Sequence, residues 1–145
     1  MGITADIAAF SAKLDAAIDS AMQGPVLDGA KDAIWLASLR YVYAPYTPKF
    51  YSRRMSGGGL ASPDTKKGDY NDKTLVIRDE TKWQQLYGGA RPGEKLAEAI
   101  ASGSARYHFQ NAGSRSFMPE AEREFGPEFE RIIAAALSAA GFAVL

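Results

Sequence analysis

Cysteine and histidine, side chains able to move a proton, attack an electrophilic centre or hold a metal, are few in this sequence. The chain has no cysteine and one histidine, His108. A disulfide framework, a thiol nucleophile, a thiolate metal centre and a multi-histidine site within one chain are therefore excluded. Imidazole titrates near neutrality and suits a general base, yet His108 stands between Tyr107 and Phe109 with no evident catalytic partner and reads as a structural residue. Serines occur without a Gly-x-Ser-x-Gly elbow. Gly57-Gly58-Gly59 lacks the Gly-Lys-Ser/Thr ending of a phosphate-cradling loop, so flexibility or positive φ explains it better. Asp64, Asp69 and Asp72 share a glycine-containing stretch, but it is not a calcium loop: Glu80 falls twelfth from Asp69, yet Lys73 and Thr74 stand where the fifth-position ligand and the sixth-position glycine belong. Glu120, Glu122, Glu124, Glu128 and Glu130 read as the solvated face and favourable N-terminal charge of a terminal helix. The reading yields no catalytic residue, no cofactor site and no metal site.

The charged residues bear on partners. Seventeen basic residues balance 17 acidic ones, so there is no global electrostatic reason to bind nucleic acid or an anionic membrane. The distribution is uneven, with two basic and five acidic groups in residues 1–39, six and one in 40–67, and two and five in 117–145. Arg40, Lys49, Arg53, Arg54, Lys66 and Lys67 lie among Tyr41, Tyr43, Tyr46, Phe50 and Tyr51. That composition suits a phosphate backbone or a partner's acidic face, and ordinary solvated cations beside buried aromatics would give the same pattern.

Such residues need a scaffold. The 145 residues have the size of one domain spanning the whole chain, and an apolar share of 46% with 23% charged residues is that of a folding globular protein. No apolar run reaches the roughly 18 to 20 residues of a membrane span, and the start Met1-Gly2-Ile3-Thr4 lacks the pattern of a leader, so the expected site of synthesis is the cytoplasm, with no membrane partner. Ile7, Phe10, Leu14, Ile18 and Met22 recur at three- and four-residue spacings, predicting a helix with one buried stripe. Gly24-Pro25 interrupts it, and Leu27, Ala30, Ile34, Ala37 and Tyr41 continue the period, predicting a kinked or broken helical hairpin that ends near Tyr43, before Pro45 and Pro48.

Lys49 to Met55 reads as an aromatic strand, Gly57 to Lys73 as a long exposed loop with an optional short strand near Leu60, and Thr74 to Arg78 as a central β-branched strand entered through an Asp72-Lys73 turn. A short helix after Pro92 and a brief strand at Arg106 to Phe109 follow. Pro119 suits the first turn of a last helix, Gly126-Pro127 marks a break or restart in it, and Phe129, Ile132, Ile133, Ala136, Leu137 and Ala140 form its apolar face up to a Gly141 terminator. The expected fold is α+β: N-terminal helices and a long C-terminal helix packed on a small antiparallel sheet with a long loop.

Val42-Tyr43-Ala44-Pro45-Tyr46-Thr47-Pro48-Lys49-Phe50-Tyr51-Ser52-Arg53-Arg54, followed by Gly59-Leu60, Thr74-Leu75-Val76-Ile77 and Arg115-Ser116-Phe117-Met118, resembles a family of tailed-bacteriophage virion proteins described as head-tail connector, neck, minor capsid or tail-completion proteins. The resemblance runs from about Ile34 to Gly141, and Ser116 replaces a proline that many members carry. It implies a non-enzymatic structural subunit, made in the host cytoplasm and placed in the virion neck, that forms a six-fold or twelve-fold ring with itself. Its other partners would be neighbouring neck, portal-adaptor or tail-tube proteins. On this reading Tyr46, Tyr51, Arg53, Arg54, Leu60 and the apolar tail Phe142, Val144 and Leu145 contact subunits or partners. Lys66 and Lys67, repeated around a ring, would line a channel in weak contact with genomic DNA. The competing class is a small nucleic-acid-binding protein or RNase-type toxin, which a neutral chain disfavours because such affinity comes from phosphate neutralisation.

Overall fold

A computed structural model of the chain describes residues 2–45, 58–81, 100 and 117–144. The architecture is α+β. Helix α1 (Ile3–Ala21) passes through a π-helical turn at Met22–Val26 into α2 (Leu27–Ala37), which widens again into a π-helical segment at Ser38–Tyr43. A 3-10 turn (Pro63–Thr65) leads into strand β1 (Lys66–Asn71), which pairs with β2 (Thr74–Asp79), and α3 (Phe117–Ala139) packs across α2 and α1.

The expected helical hairpin does not form. Pro25 lies inside the π-helical turn, and the flanking Ala21 and Leu27 keep right-handed helical angles, so the helix continues from Ile3 to Tyr43. Proline lacks an N–H and its ring crowds the carbonyl four residues back; an i to i+5 turn widens the helix there and accommodates both defects without reversing the chain. Pro127 likewise sits within α3, which neither breaks nor restarts.

The expected long loop is largely structured. Its first part is a buried turn at Gly59 to Ser62, and the rest is the 3-10 turn and β1. The hairpin register pairs Lys66 with Asp79 and Asn71 with Thr74. Asp72 and Lys73 make a two-residue connection with φ of 47° and 61°, the positive values that match a turn to the twist of its strands. Among the described residues β2 has one strand neighbour, β1, so its expected central place is not seen there. The strands expected at Lys49 to Met55 and Arg106 to Phe109 and most of the helix expected after Pro92 lie outside the described residues; Ile100, at its end, is helical and buried.

Two apolar clusters hold the elements together. Ile34, Ala37, Val42, Leu60, Ile100, Phe117 and Ala121 form one, and Ala21, Val26 and Ile132 form the other, flanked by Leu75, Phe125 and Ile133. Gly29 permits close helix contact, since a Cβ there would lie 2.8 Å from Phe125 Cε2. The expected α3 stripe is corrected in detail, because Ile132 is buried, Ile133 and Leu137 are half-buried and Phe129 is exposed. α3 ends as expected at Gly141, whose φ of 85° lets Gly141 N–H donate to Ser138 O and Phe142 N–H donate to Leu137 O. This is the paired bonding of a Schellman ending.

Candidate interaction surfaces

Lys66 departs most from its expected role. It opens β1, and its partner in the register, Asp79, closes β2, so hairpin pairing alone brings cation and carboxylate together. Nζ lies 2.8 Å from Asp79 Oδ2, with the two side chains 0% and 1% exposed. Oδ2 has no directed hydrogen-bond partner, so this contact is ionic. Lys66 Nζ also donates to Leu60 O (2.5 Å) and Thr65 Oγ1 (2.9 Å), while Asp79 Oδ1 accepts from Thr81 N–H (2.9 Å) and Thr81 Oγ1 (2.5 Å). Burial pushes the Lys66 ammonium below the ordinary lysine value, and the Asp79 carboxylate acts in the opposite direction. A cation enclosed in this way presents no charge to a channel, which corrects the assignment of Lys66; Lys67, the next residue on a pleated strand, faces out and is exposed.

The same network places Leu60. Its side chain is buried and its carbonyl also accepts from Ser38 Oγ at 3.3 Å, while Trp35 Nε1 donates to Ala61 O at 2.9 Å. Leu60 is therefore part of the core of the chain, correcting its assignment as an exposed contact. Tyr46, Tyr51, Arg53, Arg54 and Leu145, with His108, lie outside the described residues.

Two partly exposed clamps join the elements. Asp19 of α1 accepts from Tyr70 OH (2.5 Å) and Lys73 Nζ (2.7 Å) at the hairpin end, and Lys73, followed by Tyr70, holds the carboxyl below its usual range. Glu124 of α3 accepts from Tyr41 OH and Arg40, both at 2.7 Å; the tyrosine, opposed by partial desolvation and aided by the arginine, lowers its pKa. Part of the basic and aromatic middle segment therefore ties helices together. Arg78–Asp69 and Arg131–Glu128 are exposed local pairs.

Among the described residues, exposed apolar side chains include the isolated Leu36 and Val76, and apolar surface is continuous at two further places. The stripe expected to be buried along α1 is only half-buried at Leu14, Ile18 and Met22 and is exposed before them: Ile7 and Phe10 are 60% and 57% exposed, and Ile3, one turn earlier, is 79% exposed. Phe142, in the chain after α3, sets its ring edge-on against Phe10 with centroids 5.2 Å apart, under Lys13 Nζ, and Val144 is 46% exposed. The tail therefore extends the α1 stripe into one apolar patch. The second place is an open groove of about 440 Å³. Ala30 and Ala33 of α2, Leu75 and Ile77 of β2, and Met118 and Phe125 of α3 line it, with Glu122 the charged side chain among the described lining residues. Periodicity locates an apolar stripe but not what covers it, so the exposure of the α1 stripe and the groove are not readable from sequence, whereas the apolar tail is. Among the described residues no helix is long and apolar enough to cross a membrane. Comparison of the chain with protein-family models, curated proteins and solved structures finds no match.

Proposed function

We propose that the chain is a structural subunit of a tailed-bacteriophage virion, forming with copies of itself a ring in the neck that joins head to tail. The observation that carries this reading is the exposed apolar stripe of α1, continued by the C-terminal tail, on a chain of zero formal charge. Contiguous apolar surface marks an interaction site, and a neutral chain has no net repulsion to keep copies apart. The resemblance through Tyr46 to Arg54 and at Phe117 adds the neck, the six- or twelve-fold ring and the connector, portal-adaptor or tail-tube neighbours.

Light scattering on the size-fractionated protein, followed by electron microscopy of assembled species, tests the proposal: closed rings with an open centre are expected. A monomer at all concentrations that also cleaves or tightly binds RNA would replace it with the nucleic-acid reading. Lys67 remains the proposed channel cation, and Lys67→Glu is expected to alter DNA retention or ejection in virions whose rings still form. Normal packaging, retention and ejection would remove Lys67 from any role on the genome.

A further inference from the structure

Two apolar surfaces among the described residues are complementary in kind. One is a convex helix edge, Ile3-Ile7-Phe10, and the other is the concave groove between β2 and α3 above α2. We infer that the N-terminal turns of α1 dock in the groove of a second copy of this chain, an inference that rests on the ring reading and specifies its subunit contact.

The chain's own groove is out of reach. Met22, at the root of α1, lines the groove, whereas Phe10 and Ile3 lie twelve and nineteen residues away along an unbroken helix. At about 1.5 Å per residue those positions are about 18 and 28 Å from Met22 along the axis. A straight helix cannot fold its far end back onto its root, so an occupant with this stripe must come from another molecule.

Charge selects the same pairing. Lys13 follows the stripe on α1 and makes no ion pair within the described residues, its ammonium resting over the Phe142 ring. Glu122 is the carboxylate of the groove lining and is likewise unpaired there, although Glu120, Glu124 and Glu128 on the same helix each have an arginine. Seating the stripe in the groove brings Lys13 towards Glu122, two opposite charges that have no ion pair among the described residues. The two surfaces differ, so the contact is heterologous: each copy offers its helix to one neighbour and its groove to the other, and the series closes into a ring or runs on as a filament.

Sedimentation of the full-length chain over a concentration series provides the test. The wild type is expected to assemble, and Ile7→Asp, an exposed change that leaves the helical circular dichroism intact, is expected to remain monomeric. Lys13→Glu and Glu122→Lys should each weaken association about two- to five-fold, the range of a partly solvated ion pair, and the double exchange should restore it. Wild-type assembly that Ile7→Asp leaves unchanged overturns this contact and leaves the ring reading standing. Loss of assembly in Ile7→Asp without rescue by the double exchange overturns the groove as the acceptor. A wild type that is monomeric at every concentration removes the ring reading and this contact together.

Discussion

At the scale of single residues, the Lys66–Asp79 pair shows how burial reverses a surface assignment. Breaking a buried pair strands a charge and costs about 3–5 kcal/mol, so Lys66→Met is expected to lower unfolding free energy by that amount in urea titration. Adding Asp79→Asn should recover part of the loss, because no charge is then left unpaired while Thr81 keeps an acceptor. A double variant as unstable as the sum of the singles would show that the hydrogen bonds to Leu60, Thr65 and Thr81 outweigh the charges. The carboxylates Asp19, Glu124 and Glu128 have pKa values lowered in the folded state by their hydrogen-bonded partners. In the acid range the unfolded chain therefore binds more protons, and stability rises with pH. Their contribution is full above the ordinary values of 3.8 and 4.5 and is lost as pH falls through the lower folded values. Asp19→Asn and Glu124→Gln should each flatten the acid limb of stability measured between pH 5 and about 2, and an unchanged slope would show that the clamps are open in solution.

At the scale of elements, close approach sets what the hairpin and α3 tolerate. A Cβ on Gly68 would collide with Leu27 Cδ1 and lie 2.7 Å from Ile77 Cδ1. Gly68→Ala is therefore expected to cost about 1–3 kcal/mol through overpacking, and a neutral effect in thermal unfolding would mean that the hairpin shifts away from α2 without loss. Phe117 is fully buried at the start of α3, and Phe117→Ala should cost about 3–5 kcal/mol. The segment Arg115 to Met118, singled out by resemblance, thus includes an anchor of the core. On α3 the depth order places Ile132 above Ile133, so Ile132→Asp should lower the melting temperature more than Ile133→Asp.

At the scale of the whole molecule, the tail has two faces. Phe142 is packed on Phe10, and Val144 is open to solvent. Removing residues 142–145 is expected to cost about 0.5–1.5 kcal/mol through the lost aromatic pair and to weaken assembly further, because Phe142 buttresses the α1 stripe. Comparing the unfolding midpoint of the truncated chain with its sedimentation separates the effects; assembly unchanged after truncation would confine the tail to folding.

Local rules made several features legible. The apolar periods of α1, α2 and α3, the Asp72-Lys73 turn and the Gly141 stop follow from preferences acting over a few residues, and so does the α+β class. Pro25 marked an interruption, but a proline specifies only a missing donor and a steric demand, and a widened turn met both without reversing direction. Lys66 and Leu60 read as surface residues because a polar, glycine-bearing stretch resembles a loop. Only the register that sets Lys66 opposite Asp79, and the packing of Ser38 and Trp35 on the Leu60-Ala61 carbonyls, turned that stretch inward. Periodicity announced the α1 stripe, whereas tertiary structure decided that α3 covers its C-terminal end and leaves Ile3, Ile7 and Phe10 in water. Spacing along one helix defines a face, and what occupies that face depends on chain segments more than a hundred residues away.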